Sequence, residues 1–462
     1  MSYIVTTNYE LQKVAAPNLP LAPTRWSRQY QDQFSNVLRL YFNRLDKYLN
    51  QLMATAASGS TPITFPPTAL DAFGRQRVSQ PYTLFDSQSR YAADNQFDTS
   101  TTGTGSTTYN SNQASVSMSV TAGGVGSVVR QSYRSFPYQP GKGLLVLATF
   151  QMDSSTSANL SQKVGYFNAQ NGVFFSKVGS TNAFTLRSYT GGSANDSRSV
   201  TQTNWNGDKL DGTGASGITL DLTHPQILWM DFEWLGVGSV RCGFIINGEY
   251  IVCHTFNTAN VYGTTVYMTT AILPVRYEII STSAVAATLT QICSSVVSEG
   301  GFEATSVEHS ASMTNLTASS YLTTSYKPLI SIRLASGRTG AVVLPTTLNF
   351  LPSTADNFQI ALVKNATLSS PSWSAVTSDS NVEQDISSTS YTGGTLVYAE
   401  FATGKTGRSI LSVGAGYNWD MQLGASIAGV SDTLTLVART VTTGGATTGG
   451  GIGAISFYDL TQ

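Results

Sequence analysis

The sequence predicts a mainly β protein with one helix near its N-terminus, on three observations. From about residue 115 to the C-terminus, short apolar runs alternate with polar residues between clusters of Gly, Ser, Asn and Pro, as in strands and their turns. Charged residues are only 11% of the 462, with 41 Gly, so the surface is polar but nearly uncharged. Only Arg25 to Met53 carries a sustained helical repeat.

Residues 1–24 read as an extended arm. Pro17, Pro20 and Pro23 recur every three residues, which matches one face of a polyproline II helix laid along a partner. Thr24 is placed to cap the helix that follows, over 25–53. There Phe34, Leu38, Tyr41, Leu45, Tyr48 and Leu52 are spaced alternately by four and three, a heptad seam of leucines and aromatics. Such a seam is most simply buried against copies of itself. The bulky Phe34, Tyr41 and Tyr48 fill a wider core than two strands provide, so the expectation is a homotrimer. Val37, Phe42 and Leu49 lie off the seam and widen the apolar stripe. About three heptads make a short clamp rather than a long shaft.

Residues 54–114 read as a linker (ATAASGST) and an extended neck or edge segment containing Pro66, Pro67, Pro81 and the strand-like YTLF. Residues 115–295 carry about twelve strand-like runs, among them SVSMSV, GVFFSKV, QILWMDFEW, EYIVCHTF and TVYMTTAIL, and predict a lectin-like jelly-roll β-sandwich. Asn247-Gly248 between SVRCGFII and EYIVCHTF predicts a two-residue type I′ hairpin. In that register Ile246 faces Glu249 and Cys242 faces Cys253. The pair is then either a disulfide or two neighbouring free thiols. Residues 296–326 read as a polar connector and 327–462 as a second C-terminal β-sandwich, with Gly444 to Gly453 as a loop.

Net charge is −1, without a basic run, which argues against nucleic acid as a partner. No run approaches the roughly 18 apolar residues of a membrane span, and the N-terminus lacks the pattern of a secretory signal. A protein working outside a cell would then leave by another route, such as lysis with a virus particle.

Three cysteines and three histidines (His224, His254, His309) show no metal spacing, and no cofactor is expected. The loop from Asn204 to Gly212 offers Asn206, Asp208 and Asp211 as oxygen ligands for calcium, or simply as turn formers. On QILWMDFEW, Trp229, Asp231 and Glu233 share one face and Met230, Phe232 and Trp234 the other. The first three could stack on and hydrogen-bond a glycan, form a carboxylate pair for glycoside hydrolysis, or simply make a polar sheet face. No GxSxG elbow or phosphate loop occurs, and the expectation is a non-enzymatic protein.

The segments VLRLYFNRLDKYLNQL, DAFGRQRVSQPYTLFDSQSRY and DKLDGTGASGITLDLTHPQILWMDFEWLGVGSVRCGFIINGEYIVCHTF resemble virion structural proteins of tailed phages, cyanophages among them. The resemblance implies a location, the phage particle surface. The expected protein is fibre- or spike-like, bound to other virion proteins through residues 1–53, with its β domains outward and a host surface glycan as a further partner. The alternatives are a capsid decoration or cement protein, and a lectin or polysaccharide depolymerase.

Overall fold

The computed structural model describes residues 27–57, 80–317, 320–404, 409–412, 419–441 and 449–461. The arm, with Pro17, Pro20, Pro23 and Thr24, lies outside them. The chain divides into two units, Met1–Val78 and Ser79–Gln462.

In the first unit, helix α1 spans Arg28–Ala57, about 45 Å long. Ser27 caps it, its hydroxyl accepting the Tyr30 N–H at 3.3 Å. The helix runs through Ala54–Ala57, part of the segment read as linker, because alanine is the strongest helix former. Phe34, Leu38, Tyr41 and Leu45 are half-buried along its length, while beside them Phe42 is 59% exposed and Leu49 is exposed. The side chains of Tyr48 and Leu52 lie outside the description.

The second unit is almost entirely sheet. Its first part holds β1 (Tyr82–Gln88), β2 (Phe97–Gly103), β3 (Ser106–Asn110), β4 (Ser115–Val120), β5 (Gly126–Ser132), β6 (Leu144–Gln151), β7 (Leu160–Phe167) and β8 (Gly172–Val178). These are followed by β9 (Thr181–Ser188), β10 (Asn195–Thr201), β11 (Gln226–Phe232), β12 (Val240–Ile246), β13 (Glu249–Phe256), β14 (Val275–Ser281) and β15 (Ala287–Ser298). One sheet runs β13-β12-β11-β6-β15-β4-β3, with β1 also on β15; the other runs β10-β9-β8-β7-β14-β5-β2. Their facing side chains fill a core that includes Phe150, Met230, Phe232 and Phe244 against Tyr166, Phe175, Phe184 and Tyr277. Phe175 meets Phe244 edge-on at 5.2 Å across it.

Three expectations need correction. The stretch read as a neck or edge segment forms three strands: the strand-like YTLF opens β1, while β2 and β3 are Ser- and Thr-rich and carry little apolar alternation. TVYMTTAIL forms no strand: it crosses the core as irregular chain, with Met268 and Leu273 fully buried. Side chains replace the ladder there. Asn171 Oδ1 accepts the Thr269 N–H, and the Tyr166 hydroxyl donates to Ala271 O and accepts the Leu273 N–H. The hairpin forms as expected, with Asn247 and Gly248 at φ 54° and 82° and Ile246 opposite Glu249. A bulge then inserts Cys253, so Cys242 pairs with His254; both cysteines are free and buried.

The second part comprises β16 (Glu308–Ser312), β17 (Tyr321–Leu322), β18 (Lys327–Leu334), β19 (Val343–Pro352), β20 (Asn357–Lys364), β21 (Thr367–Leu368) and β22 (Ser374–Ala375). It continues with β23 (Val382–Asp385), β24 (Tyr391–Thr392), β25 (Thr395–Thr403), β26 (Ser409–Ser412), β27 (Thr433–Thr440) and β28 (Gly449–Asp459). Sheets β16-β28-β19-β26 and β22-β23-β18-β27-β20-β25 enclose a second core around Ile332, Phe350, Phe358, Leu436 and Phe457. The segment read as connector thus supplies β16 and β17. Gly449–Gly453, read as loop, belongs to β28, where Gly451 and Gly453 leave room for Phe350 and Leu436.

The segment between β26 and β27 fastens the two sandwiches together. The buried Arg134 donates to Trp419 O at 2.6 Å, Trp419 Nε1 donates to the Tyr82 hydroxyl at 2.9 Å, and the Ala425 N–H reaches Tyr133 O at 2.8 Å. Trp419 itself packs in the first core.

Candidate functional site

Trp229, Asp231 and Glu233 do not form an open site. As the alternation predicts, Met230 and Phe232 point into the core and Trp234 packs against it, so Trp229 and Asp231 face the outer side of the sheet. Trp229 is only 3% exposed. Its partner across the ladder is Gly243, where a Cβ would stand 2.9 Å from the indole nitrogen, and its N–H donates to Ile251 O at 3.3 Å. Tyr250 abuts the ring at 5.5 Å. Asp231, 8% exposed, is ion-paired with Arg241. Glu233 lies past the end of β11 and is exposed. Of the three readings open for this face, the glycan platform is therefore closed: a missing side chain at position 243 lets the indole lie down on the sheet. The carboxyl that does neighbour Asp231 is Glu299, pushed up from its ordinary range by burial and then by the Asp231 charge.

The loop after β10 has a structural task. β13 is an edge strand, and the Gly207 and Asp208 N–H groups reach the Cys253 and Val252 carbonyls, each at 2.9 Å. Asn206 exchanges side-chain hydrogen bonds with Thr255 and donates its N–H to His254 Nδ1 at 3.3 Å. The loop thus covers the open edge at the bulge. Asp208 accepts the Leu210 and Ser216 N–H groups and Asp211 accepts from Thr213, so two of the three candidate calcium ligands are engaged within the loop and Asn206 on the strand edge. Among the described residues no three His, Cys, Asp or Glu gather as a metal site. His224 is exposed and pairs with Asp221 at 2.9 Å, His254 is buried, and the His309 ring stacks on Phe457 at 5.8 Å. No described helix is long and apolar enough to cross a membrane.

The open concavity lies elsewhere, at a break in the first sheet. β4 and β1 both pair antiparallel with β15 and meet end to end along it. Val116 pairs with Gln291 and Gln88 with Cys293, while Ile292 falls between. On the other side of β15 the register with β6 shifts between Gln291 and Ser294. This bulge reverses the inward phase of β15, from Leu289 and Gln291 to Ser294 and Val296, and leaves Cys293 exposed. The chain leaving β1 and the turn joining β3 to β4 flank the gap. The result is a groove of about 620 Å³, bordered by Gln88, Arg90, Tyr91, Tyr109, Asn112 and Gln113.

Its walls are tied down. Tyr109 donates its hydroxyl hydrogen to Arg90 O at 2.6 Å. Asp94 accepts from the Ser87 hydroxyl and the Gln96 N–H, and its own N–H donates to the Ser89 hydroxyl. Ala114 holds φ at 47°, a left-handed conformation that is costly outside glycine. Tyr91 is 86% exposed, with the Arg90 guanidinium 5.2 Å from its ring centre. None of these residues was singled out from sequence. The available signal was the break in alternation in TLTQICSSVV, where Leu289 is followed by the adjacent apolar pairs Ile292-Cys293 and Val296-Val297.

No family model matches the chain, and no curated protein matches it. Among solved structures, a protein of unknown function from Shewanella oneidensis MR-1 is 10% identical, with 52% of this chain and 97% of that one covered and a TM-score of 0.30. The Emp47p carbohydrate recognition domain is 8% identical, with 52% and 100% covered and a TM-score of 0.29. The CBM2 module of the evolved Dit of Lactobacillus casei BL23 phage J-1 is 6% identical, with 49% and 100% covered and a TM-score of 0.32. At these scores the likenesses carry no argument for this chain.

Proposed function

We propose that this protein is a non-enzymatic structural component of a phage virion. In this reading it assembles as a homotrimer through α1, is anchored to other virion proteins by residues 1–53, and presents its β-sandwiches outward for attachment to a host. The observation that carries the reading is the apolar face of α1. Phe34, Leu38, Tyr41 and Leu45 are only half-buried along a single helix, with Phe42 and Leu49 exposed beside them. Water contact with so many large apolar side chains is unfavourable by about 1.5–3 kcal/mol for each one left uncovered, and the heptad spacing fits copies of the same helix. The non-enzymatic part is supported by Asp231 being buried and held by Arg241 while Glu233 lies exposed past the end of β11.

Light scattering of the purified chain at micromolar concentration tests assembly. A trimer is expected, and Leu38→Asp combined with Leu45→Asp should give monomers with the sheet signal unchanged in circular dichroism. A wild-type monomer would refute the assembly reading. Deletion of residues 1–24 should leave the oligomer intact but abolish incorporation into particles. Labelling the chain in intact particles separates a fibre or spike position from the alternative, a capsid decoration protein.

A further inference from the structure

We propose that the groove between the ends of β1 and β4 is a saccharide-binding site that selects a sugar unit bearing a carboxylate or sulfate. The proposal rests on the reading of the β-sandwiches as the outward, attaching part of the protein, and it replaces the closed surface at Trp229 with an open one.

The chemistry of the border points to this ligand. Tyr91 presents almost its whole ring to solvent at the rim. An exposed aromatic face beside a polar concavity suits the C–H face of a pyranose, which is apolar while its edge is hydroxylated. Gln88, Asn112 and Gln113 supply amides that both donate and accept, and sugar hydroxyls do the same. Among the described residues the border contains one cation, Arg90, and no carboxylate. Among the described residues the Arg90 guanidinium has no ion pair, and its contact is the Tyr91 ring. A fork of donors in a border without acids favours an anionic group that offers it two oxygens, as carboxylate and sulfate both do. A single cation is too little for a nucleic-acid backbone.

The site is also built in advance. The Tyr109 bond to Arg90 O, the Asp94 bonds across the 87–96 segment and the strained Ala114 fix both walls before a ligand arrives. Ordering costs that weaken loop-based binding are thereby reduced. The volume lies within the roughly 300–1,000 Å³ of small-molecule sites.

The test uses the full chain on a printed array of neutral, uronic-acid-containing and sulfated oligosaccharides, followed by titration calorimetry on the best binder. Acidic oligosaccharides should bind, and Tyr91→Ala and Arg90→Gln should each weaken binding about tenfold or more. Tyr250→Ala, beside Trp229, should leave it unchanged. Bound oligosaccharide should also slow modification of the Cys293 thiol, the exposed one of the three, by a thiol reagent. Acidic binding that survives both groove variants would overturn the groove assignment while leaving glycan attachment standing. Binding confined to neutral sugars would overturn the role of Arg90. Absence of any binding by an assembled trimer would overturn the saccharide site, while the light-scattering result decides the structural reading independently.

Discussion

Acidification between pH 6.5 and 4 should weaken the first sandwich through one side chain, His254. This residue is 7% exposed, its ring stands 4.5 Å from Phe256, and its Nδ1 accepts the Asn206 N–H that ties the covering loop to the edge of β13. Burial, and then the nearby Arg198 charge, push its pKa down to about 4. In the unfolded chain a histidine titrates near 6.5. Between those values the unfolded state holds a proton that the folded state refuses. Stability is therefore full above about pH 6.5, falls as pH drops through the window, and loses nothing more from this group below about 4. At about 1.4 kcal/mol for each tenfold in proton affinity the ceiling is about 3 kcal/mol, and solvent screening brings the expected loss to about 1–2 kcal/mol.

The assay is urea unfolding followed by tryptophan fluorescence at pH 7.5, 6.0 and 4.5, for wild type and His254→Gln. Trp205 reports locally, because it sits in the same loop with its ring 4.8 Å from Phe184. The glutamine retains an acceptor but does not titrate. Its stability should change less with pH than that of wild type, by about 1–2 kcal/mol over the window. His224, exposed and paired with Asp221, is common to both proteins and cancels. The carboxylates held below their ordinary range, among them Asp208 and Glu278, are likewise common to both proteins and cancel. Parallel loss in the two proteins between pH 6.5 and 4.5 would refute the reasoning.

Two further outcomes are expected. Gly243→Ala would place a Cβ 1.8 Å from Ile251 O as well as against the Trp229 indole, so the bulged edge must shift; the cost should be about 2–4 kcal/mol, read as a fall in Tm of about 5–12 °C. An unchanged Tm would contradict the packing described at Trp229. Trp419→Ala removes a ring packed 4.8 Å from Phe302 and bonded to Tyr82, which should cost about 3–5 kcal/mol and split calorimetric unfolding into two peaks, one for each sandwich. A single peak at unchanged temperature would show that the 419–432 segment is not what couples them.

Local signals were readable wherever one interaction dominates. The Asn-Gly turn fixed its own hairpin, since positive φ at two successive residues leaves few other choices. The inward set Met230 and Phe232 follows from alternation alone. Reading failed where a partner distant in sequence decides. The register of Cys242 slips because a loop almost fifty residues earlier bonds to the Val252 and Cys253 carbonyls. TVYMTTAIL has strand chemistry, but Asn171 and Tyr166 satisfy its backbone instead of a ladder. Trp229 looked like an exposed sugar platform until Gly243 gave it a place to lie. Tyr91 and Arg90 looked like part of a neck, because nothing local shows that β1 stops where β4 begins.

The sequence by itself determined the class: period-2 apolar runs bury one face in sheets, and the one stretch with a sustained helical repeat forms the one long helix of the described residues. Tertiary structure alone decided which surfaces stay open. Two strands separated by some thirty residues meet on β15, a bulge turns the phase between them, and a groove opens at that break. Exposure depends on what the rest of the chain leaves uncovered, and that sum is not written in any local stretch of residues.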